Sequence, residues 1–253
     1  MKLNSDTYFS PEVQRKYMSA SQYKAFLKCP AAALAEIRGE WKRADTQSLA
    51  LGSYVDALLF NEAEWMDRHE AEIHTKKGEL RAEFRAAENA AMRAYADPMF
   101  RRYVSGQAQV IRTGEISGVP FRIKMDSYHP GRAIVDLKYM RDFSSMYSPT
   151  EGRRVNFAYY WGYDIQGAIY QAIEGGNLPF FIAGITKQTP ADFAIFAINQ
   201  QRLNDKLREI EALAPSFQRM KDGEEEAPHC GHCEYCRTVK KLNRILDVED
   251  VYE

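Results

Sequence analysis

The sequence predicts a mixed α/β fold, a central mixed β-sheet flanked by helices on both faces. Three observations predict it. Apolar spacing is helical up to about residue 104, strand-like from about residue 107, and helical again near residue 155. The strand-like stretches are joined by tight-turn residues, Ser117-Gly118 and His129-Pro130-Gly131. A second pair of strand-like stretches then lies between two further helical segments, giving the order helix, strands, helix, strands, helix.

Residues 1–18 are polar and are expected to be loosely ordered, leaving 19–253 as a single domain. Ser21 is a candidate cap for a helix reaching about residue 38, with Tyr23, Phe26, Leu27, Leu34 and Ile37 along one face. Pro30 falls inside that span, so one interrupted helix or two consecutive helices are both open. Residues 47–60 form a strongly apolar helix. Residues 62–104, rich in Ala, Glu and Arg, read as helices with a solvated face, broken near Lys77-Gly78 and Asp97-Pro98. Strands are expected at 107–114, 119–128 and 132–138. A helix over 155–174 stops at Gly175-Gly176, as a left-handed cap requires. Strands at 180–187 and 192–198 lie either side of Thr189-Pro190, and a long amphipathic helix covers about 200–220. An acidic linker, DGEEEAP, then leads to a cysteine cluster and the basic stretch RTVKKLNR.

Composition narrows the function. The 253 residues are 45% apolar and 27% charged, enough for a sizeable core in one α/β domain or two small ones. A net charge of −1 excludes a uniformly basic nucleic-acid coat but leaves room for a local basic groove. The sequence has no apolar run of membrane-spanning length, about 18 residues, and its start, MKLNSDTYFS, has no apolar leader. A cytoplasmic protein with reduced thiols is expected, which makes its four cysteines ligands or core residues rather than disulfides.

The stretch MDSYHPGRAIVDLKYM, residues 125–140, carries the chemistry. Asp126 lies in the first strand of a hairpin, and Asp136 and Lys138 lie in the second between Ile134, Val135, Leu137 and Met140. Aspartate is a poor strand former, and an unpaired buried carboxylate is costly. Residues two apart on a strand share a face, so Asp136 and Lys138 point the same way, with Asp126 on the neighbouring strand close enough to face Asp136. Two such carboxylates are stable together only beside a cation, and oxygen ligands suit Mg²⁺. The lysine could orient an attacking water or stabilise charge on a phosphorane-like transition state.

Asp126 and the run Asp136-Leu137-Lys138 resemble the signature of the PD-(D/E)XK nuclease superfamily: an acid, then roughly ten residues to acid-x-lysine. The helix GYDIQGAIYQAI places Gln166 and Tyr170 as the Q-x-x-x-Y pair of the RecE (exonuclease VIII) and lambda-exonuclease branch, and an i, i+4 pair reaches one groove. In GSYVDALLF, Asp56 takes the place of a further metal ligand that relatives supply from a glycine-led helix. This resemblance, from about Ser19 to Arg237, implies a restriction-endonuclease-like core and catalytic residues Asp126, Asp136, Lys138, Gln166 and Tyr170. It further implies Mg²⁺ or Mn²⁺ held by Asp56, Asp126 and Asp136, and hydrolysis of DNA from a duplex end, 5′→3′, for phage recombination. A single-strand annealing partner and a ring-shaped homo-oligomer belong to the same implication.

Cys230, Cys233 and Cys236 form a C-x2-C-x2-C run, and Cys29 lies far upstream in a Cys-Pro pair. Close spacing of three thiols with a remote fourth argues for a 4Fe-4S cluster. Zinc held by the three thiols with Cys29, His229 or His232 is the open alternative. The run is similar to that of the iron–sulfur nucleases of helicase–nuclease complexes and CRISPR-associated exonucleases. There, an early Cys-Pro and three late cysteines staple the two ends of the nuclease domain. The last spacing, two residues here, is longer in those proteins. A near-neutral nuclease must gather cations at its groove, and Lys124, Arg141, Arg153 and Arg154 lie near the motifs as DNA-binding candidates. Two alternatives stand beside the duplex exonuclease: a single-strand exonuclease, and a DNA-binding scaffold without chemistry.

Overall fold

The computed structural model describes residues 3–44, 46–149, 151–242 and 245. Its helices are α1 (Ser5–Tyr8), α2 (Pro11–Lys16), α3 (Ala20–Lys28), α4 (Pro30–Arg38), α5 (Gln47–Leu59), α6 (Ala63–Arg68), α7 (Glu70–Ile73), α8 (Ala82–Ala96) and α9 (Pro98–Val104). Strands β1 (Gln107–Ile116), β2 (Val119–His129) and β3 (Ala133–Met140) follow, then a small hairpin, β4 (Met146–Ser148) and β5 (Arg153–Val155). Helices α10 (Phe157–Tyr160) and α11 (Tyr163–Glu174), strands β6 (Phe180–Thr186) and β7 (Phe193–Ala197), and helices α12 (Gln200–Asp222) and α13 (Glu234–Thr238) complete it.

The main sheet has the order β1-β2-β3-β6-β7. All its ladders are antiparallel except β3 with β6, so the sheet is mixed, as the sequence predicts. A parallel neighbour demands a crossover, and α11 supplies it. Val135 and Leu137 of β3 pack with Leu51, Val55, Phe84 and Phe100 from α5, α8 and α9. Ile134 joins the opposite cluster with Tyr23, Phe26, Ile169 and Phe217 from α3, α11 and α12. Strand β3 is therefore covered on both faces, and alternation turns Asp136 and Lys138 toward the side of Ile134. Helix α11 lies close on β6 because of Gly167: a Cβ there would stand 2.7 Å from the Phe180 ring.

Several expectations change. Residues 4–18 form structure where loose order is expected: Asn4 and Ser10 cap α1 and α2, and Tyr8, Val13 and Met18 are buried. Their polarity hides the single residue that anchors them. Met18 takes an N–H···O bond from Arg122 and gives one to Pro120, making a one-residue parallel bridge to β2 at Phe121. The cap of α3 is Ser19, two residues before the expected Ser21. Of the alternatives around Pro30, two helices are found, and Pro30 sits harmlessly in the first turn of α4. The span 155–174 is also divided, because Gly162 (φ 64°) takes a left-handed conformation between α10 and α11. Of the expected basic stretch, residues 243 and 244 lie outside the described residues. Among the described residues, no helix is long and apolar enough to cross a membrane.

Candidate active site

The site is built where β2 and β3 part. Their ladder pairs His129 with Ala133, Tyr128 with Ile134 and Ser127 with Val135, then ends. Beyond that point β3 continues alongside β6, and the first half of β2 stays with β1. Asp126 and Asp136 are the next residues on each strand, so the fork opens at the two acids. Like charges placed directly opposite repel, which opposes continued pairing there. Asp126 closes the gap with its side chain: Oδ2 accepts the Leu137 N–H at 2.9 Å, standing in for the lost ladder bond.

Asp136 is 2% exposed and is held from two directions. Its Oδ1 accepts Gln166 Nε2 at 2.6 Å, and its Oδ2 is paired with Lys138 Nζ. Lys138 Nζ also donates to the Leu137 carbonyl at 3.1 Å and lies 5.5 Å from the centre of the Tyr163 ring. Burial works against its positive charge, but Asp136, Asp126, Tyr163 and Asp56 outweigh that and raise its pKa above the ordinary lysine value. Four residues along α11 from Gln166, the Tyr170 hydroxyl donates to the Lys124 carbonyl at 2.9 Å, tying the helix to β2. Helix α5 brings Asp56 to the same fork, close enough to feel Lys138, Asp136, Glu62 and Lys124. Burial, with Asp136 and Glu62 beside it, pushes Asp56 up to about 7 despite Lys138. Burial and the two neighbouring aspartates push Asp126 well above the carboxylate range too. Three crowded carboxyl groups, two of them resisting ionisation, offer the hard oxygen donors that a divalent cation takes.

The model of a PDDEXK-like domain of unknown function (DUF3799) matches residues 19–239. The chain belongs to this PDDEXK-like family. A crystal structure of a protein from Eubacterium rectale, called a "Putative exonuclease", superposes with a TM-score of 0.93 at 40% identity. The match covers 99% of this chain and 98% of that one. Among curated proteins, none matches. Sheet and flanking helices agree with a restriction-endonuclease-like fold, as the sequence predicts.

The four cysteines of this PDDEXK-like chain also meet. Cys29, the joint between α3 and α4, has its Sγ 3.6 Å from that of Cys236 in α13, and Cys230 Sγ is 3.9 Å from Cys236 Sγ. All four sulfurs lie within 4.8 Å of one another. The Cys233 and Cys236 N–H groups point at the sulfurs of Cys230 and Cys233, at 3.3 and 3.4 Å. His232 turns to the Cys230 carbonyl, and His229 stacks on Tyr235 with Nδ1 3.4 Å from the Cys236 sulfur. The candidate ligand set among the described residues is therefore four thiols without a histidine.

The expected DNA-binding cations are dispersed. Lys124 stands at the fork, 3.8 Å from Glu62. Arg141 pairs with Asp142, Arg153 with Glu151, and Arg154 with Ser145, the last two on the β4–β5 hairpin. Three residues at the site carry no sequence motif. Glu62 sits in the break after α5, Tyr163 opens α11, and Lys24 of α3 places Nζ 5.6 Å from the other contact point of Lys138, the Tyr163 ring. Lys24 looks like one more charge on an amphipathic helix, and only tertiary packing of α3 on α11 brings it to the fork.

Proposed function

We propose that this chain is a divalent-metal-dependent exodeoxyribonuclease of the RecE-like kind, hydrolysing phosphodiester bonds from a duplex DNA end. The observation that carries it is the fork. It gathers Asp126, Asp136, Asp56 and Lys138 around one point and holds Asp136 in place with Gln166. Three carboxylates offer hard oxygen ligands, so Asp56, Asp126 and Asp136 are the residues that would hold Mg²⁺ or Mn²⁺. Such a cation, when bound, activates water and neutralises phosphate charge. Lys138 keeps its proton and presents an ammonium to the developing negative charge of the transition state. Gln166 fixes the rotamer of Asp136, and Tyr170 fixes α11 against β2, so both position the reacting groups. The E. rectale protein's name supports an exonuclease; polarity and a role in phage recombination rest on the RecE-type motif alone.

The cysteine group supports a single tetrahedral ion better than an iron–sulfur cube. Zn–S bonds near 2.3 Å put thiolates about 3.8 Å apart, matching the 3.6 and 3.9 Å seen here. A cubane carries one iron beneath each thiolate and spreads the sulfurs farther. Anaerobically purified protein should be colourless with one zinc per chain; a brown protein with stoichiometric iron would restore the cluster.

End dependence tests the function. Linear duplex should be degraded with Mg²⁺ and spared with EDTA, while closed circular duplex survives both. Cutting of the circle would make the enzyme an endonuclease.

A further inference from the structure

The turn between α10 and α11 presents two large aromatic side chains to solvent beside the fork. Trp161 is 47% exposed and Tyr160 is 39% exposed, their rings edge to face at 5.0 Å. They have no route inward. Phe157 and Ala158 of the same short helix fill the core, fixing the outward direction of the next turn. The backbone is pinned as well: the Trp161 N–H donates to the Phe157 carbonyl at 3.0 Å, and the Trp161 carbonyl accepts Lys24 Nζ at 3.3 Å. The Lys24 stem lies against Gly162, where a Cβ would come within 2.9 Å of Lys24 Cδ. The left-handed backbone at residue 162 (φ 64°) favours glycine, and the Lys24 stem packs into the space this leaves.

The platform is continuous with the reacting groups. Tyr163, two residues after Trp161, has Lys24 and Lys138 both against its ring, at 5.6 and 5.5 Å, and Lys138 is paired with Asp136. Lys24 donates to a carbonyl and has no ion-pair partner among the described residues; burial and Lys138 push its pKa down to about 8, with Asp136 and Asp164 opposing them. Rigid exposed rings next to an ammonium that lacks a carboxylate partner form the combination that binds single-stranded nucleic acid: bases stack and the backbone meets the cation. Through the shared Tyr163 ring and Lys24, the Trp161 carbonyl is linked to Lys138 of the fork.

We propose that Trp161, with Tyr160, stacks the base of the unpaired terminal nucleotide while Lys24 contacts an adjoining phosphate, so the substrate enters the site as a frayed single strand. This rests on the nuclease reading and names the form in which that site takes its substrate.

Two readouts test it. Single-stranded oligonucleotide in EDTA should quench the fluorescence of the Trp41→Phe/Trp65→Phe protein, in which Trp161 is the remaining tryptophan, and should fail to quench Trp161→Phe. Trp161→Ala should raise KM on linear duplex about 10-fold, with kcat changed much less, and Trp161→Phe should recover most of the loss. An abasic terminal nucleotide should cost the wild type the same factor and cost Trp161→Ala nothing further. Lys24→Gln should make the log-log salt slope of single-strand binding shallower by roughly 0.7. Trp161→Ala with wild-type KM on intact and abasic ends, in an enzyme that still digests DNA, overturns the platform and leaves the nuclease standing. Wild type that digests nothing with Mg²⁺ or Mn²⁺ overturns the nuclease, and the quenching then decides the platform by itself. Absence of Trp161 quenching overturns it.

Discussion

Asp126 shows how one side chain does two things at the fork. As a backbone acceptor it replaces a ladder bond to Leu137, and as a buried carboxyl beside Asp136 and Asp56 it has its pKa pushed well up, which a bound cation would reverse under the proposed function. Its substitutions should separate these. Asp126→Asn keeps an acceptor for the Leu137 N–H, whereas Asp126→Ala leaves that N–H without it, at a cost of about 1–3 kcal/mol. Both variants should lose activity by roughly 10²-fold or more, but thermal melts should show the alanine alone to be clearly less stable; equal melting temperatures would remove the structural role. Asp56 gives a pH signature. Its folded pKa, about 7, lies above the ordinary 3.8, so between those values the folded protein binds more protons than the unfolded chain. Stability then falls as pH rises through that window. Melting temperature in EDTA should decline from about pH 4 to pH 7, the decline should shrink in Asp56→Asn, and Mg²⁺ should oppose it. An identical decline in the variant would place the titration elsewhere. The acid, acid and lysine were legible because strand period and spacing encode them. Glu62, Tyr163 and Lys24 were not, since each reaches the site through a chain break or through tertiary packing that no local pattern records.

At the scale of elements, the fork leaves an edge of β2 without β3, and the segment before α3 covers it. Met18, fully buried, supplies a donor and an acceptor to that edge. A polar N-terminal stretch with a one-residue bridge has no period to read, which is why the sequence suggests loose order where α1 and α2 form. Met18→Ala should cost about 2–5 kcal/mol, measured by denaturant unfolding, and the loss should be accompanied by faster exchange of the Arg122 amide. A change within about 0.5 kcal/mol would mean the segment merely rests on the sheet. The helix expected over 155–174 fails for a related reason. Its apolar spacing runs through Gly162, whose left-handed backbone (φ 64°) breaks the chain between α10 and α11. The five strands of the main sheet, by contrast, were placed within about two residues, because alternation and turn residues agree along them, while the short β4–β5 hairpin was not expected.

Across the whole molecule, the cysteine group joins the α3–α4 joint to the segment that follows α12. Thiolate ligation is coupled to folding, so an ion there holds together parts of the chain about 200 residues apart in sequence. A chelator strong enough to strip zinc should lower the melting temperature of the wild type, and Cys29→Ser should start lower and show no further drop. A chelator effect of wild-type size in Cys29→Ser would exclude Cys29 from the site. The spacing of Cys230, Cys233 and Cys236 made a metal centre legible, and the four sulfurs do meet within 4.8 Å of one another; the choice between a cluster and a single zinc stays with the proposal. Spacing along a chain does not set the separation of sulfurs in space. The central claim is that the parted strands β2 and β3 form a metal-dependent nuclease site, and single-turnover release of nucleotides from end-labelled linear duplex tests it most directly. With Mg²⁺, wild type should release nucleotides while Asp136→Asn, folded by thermal melt, is slower by roughly 10²-fold or more. Equal release by the two proteins would contradict the account.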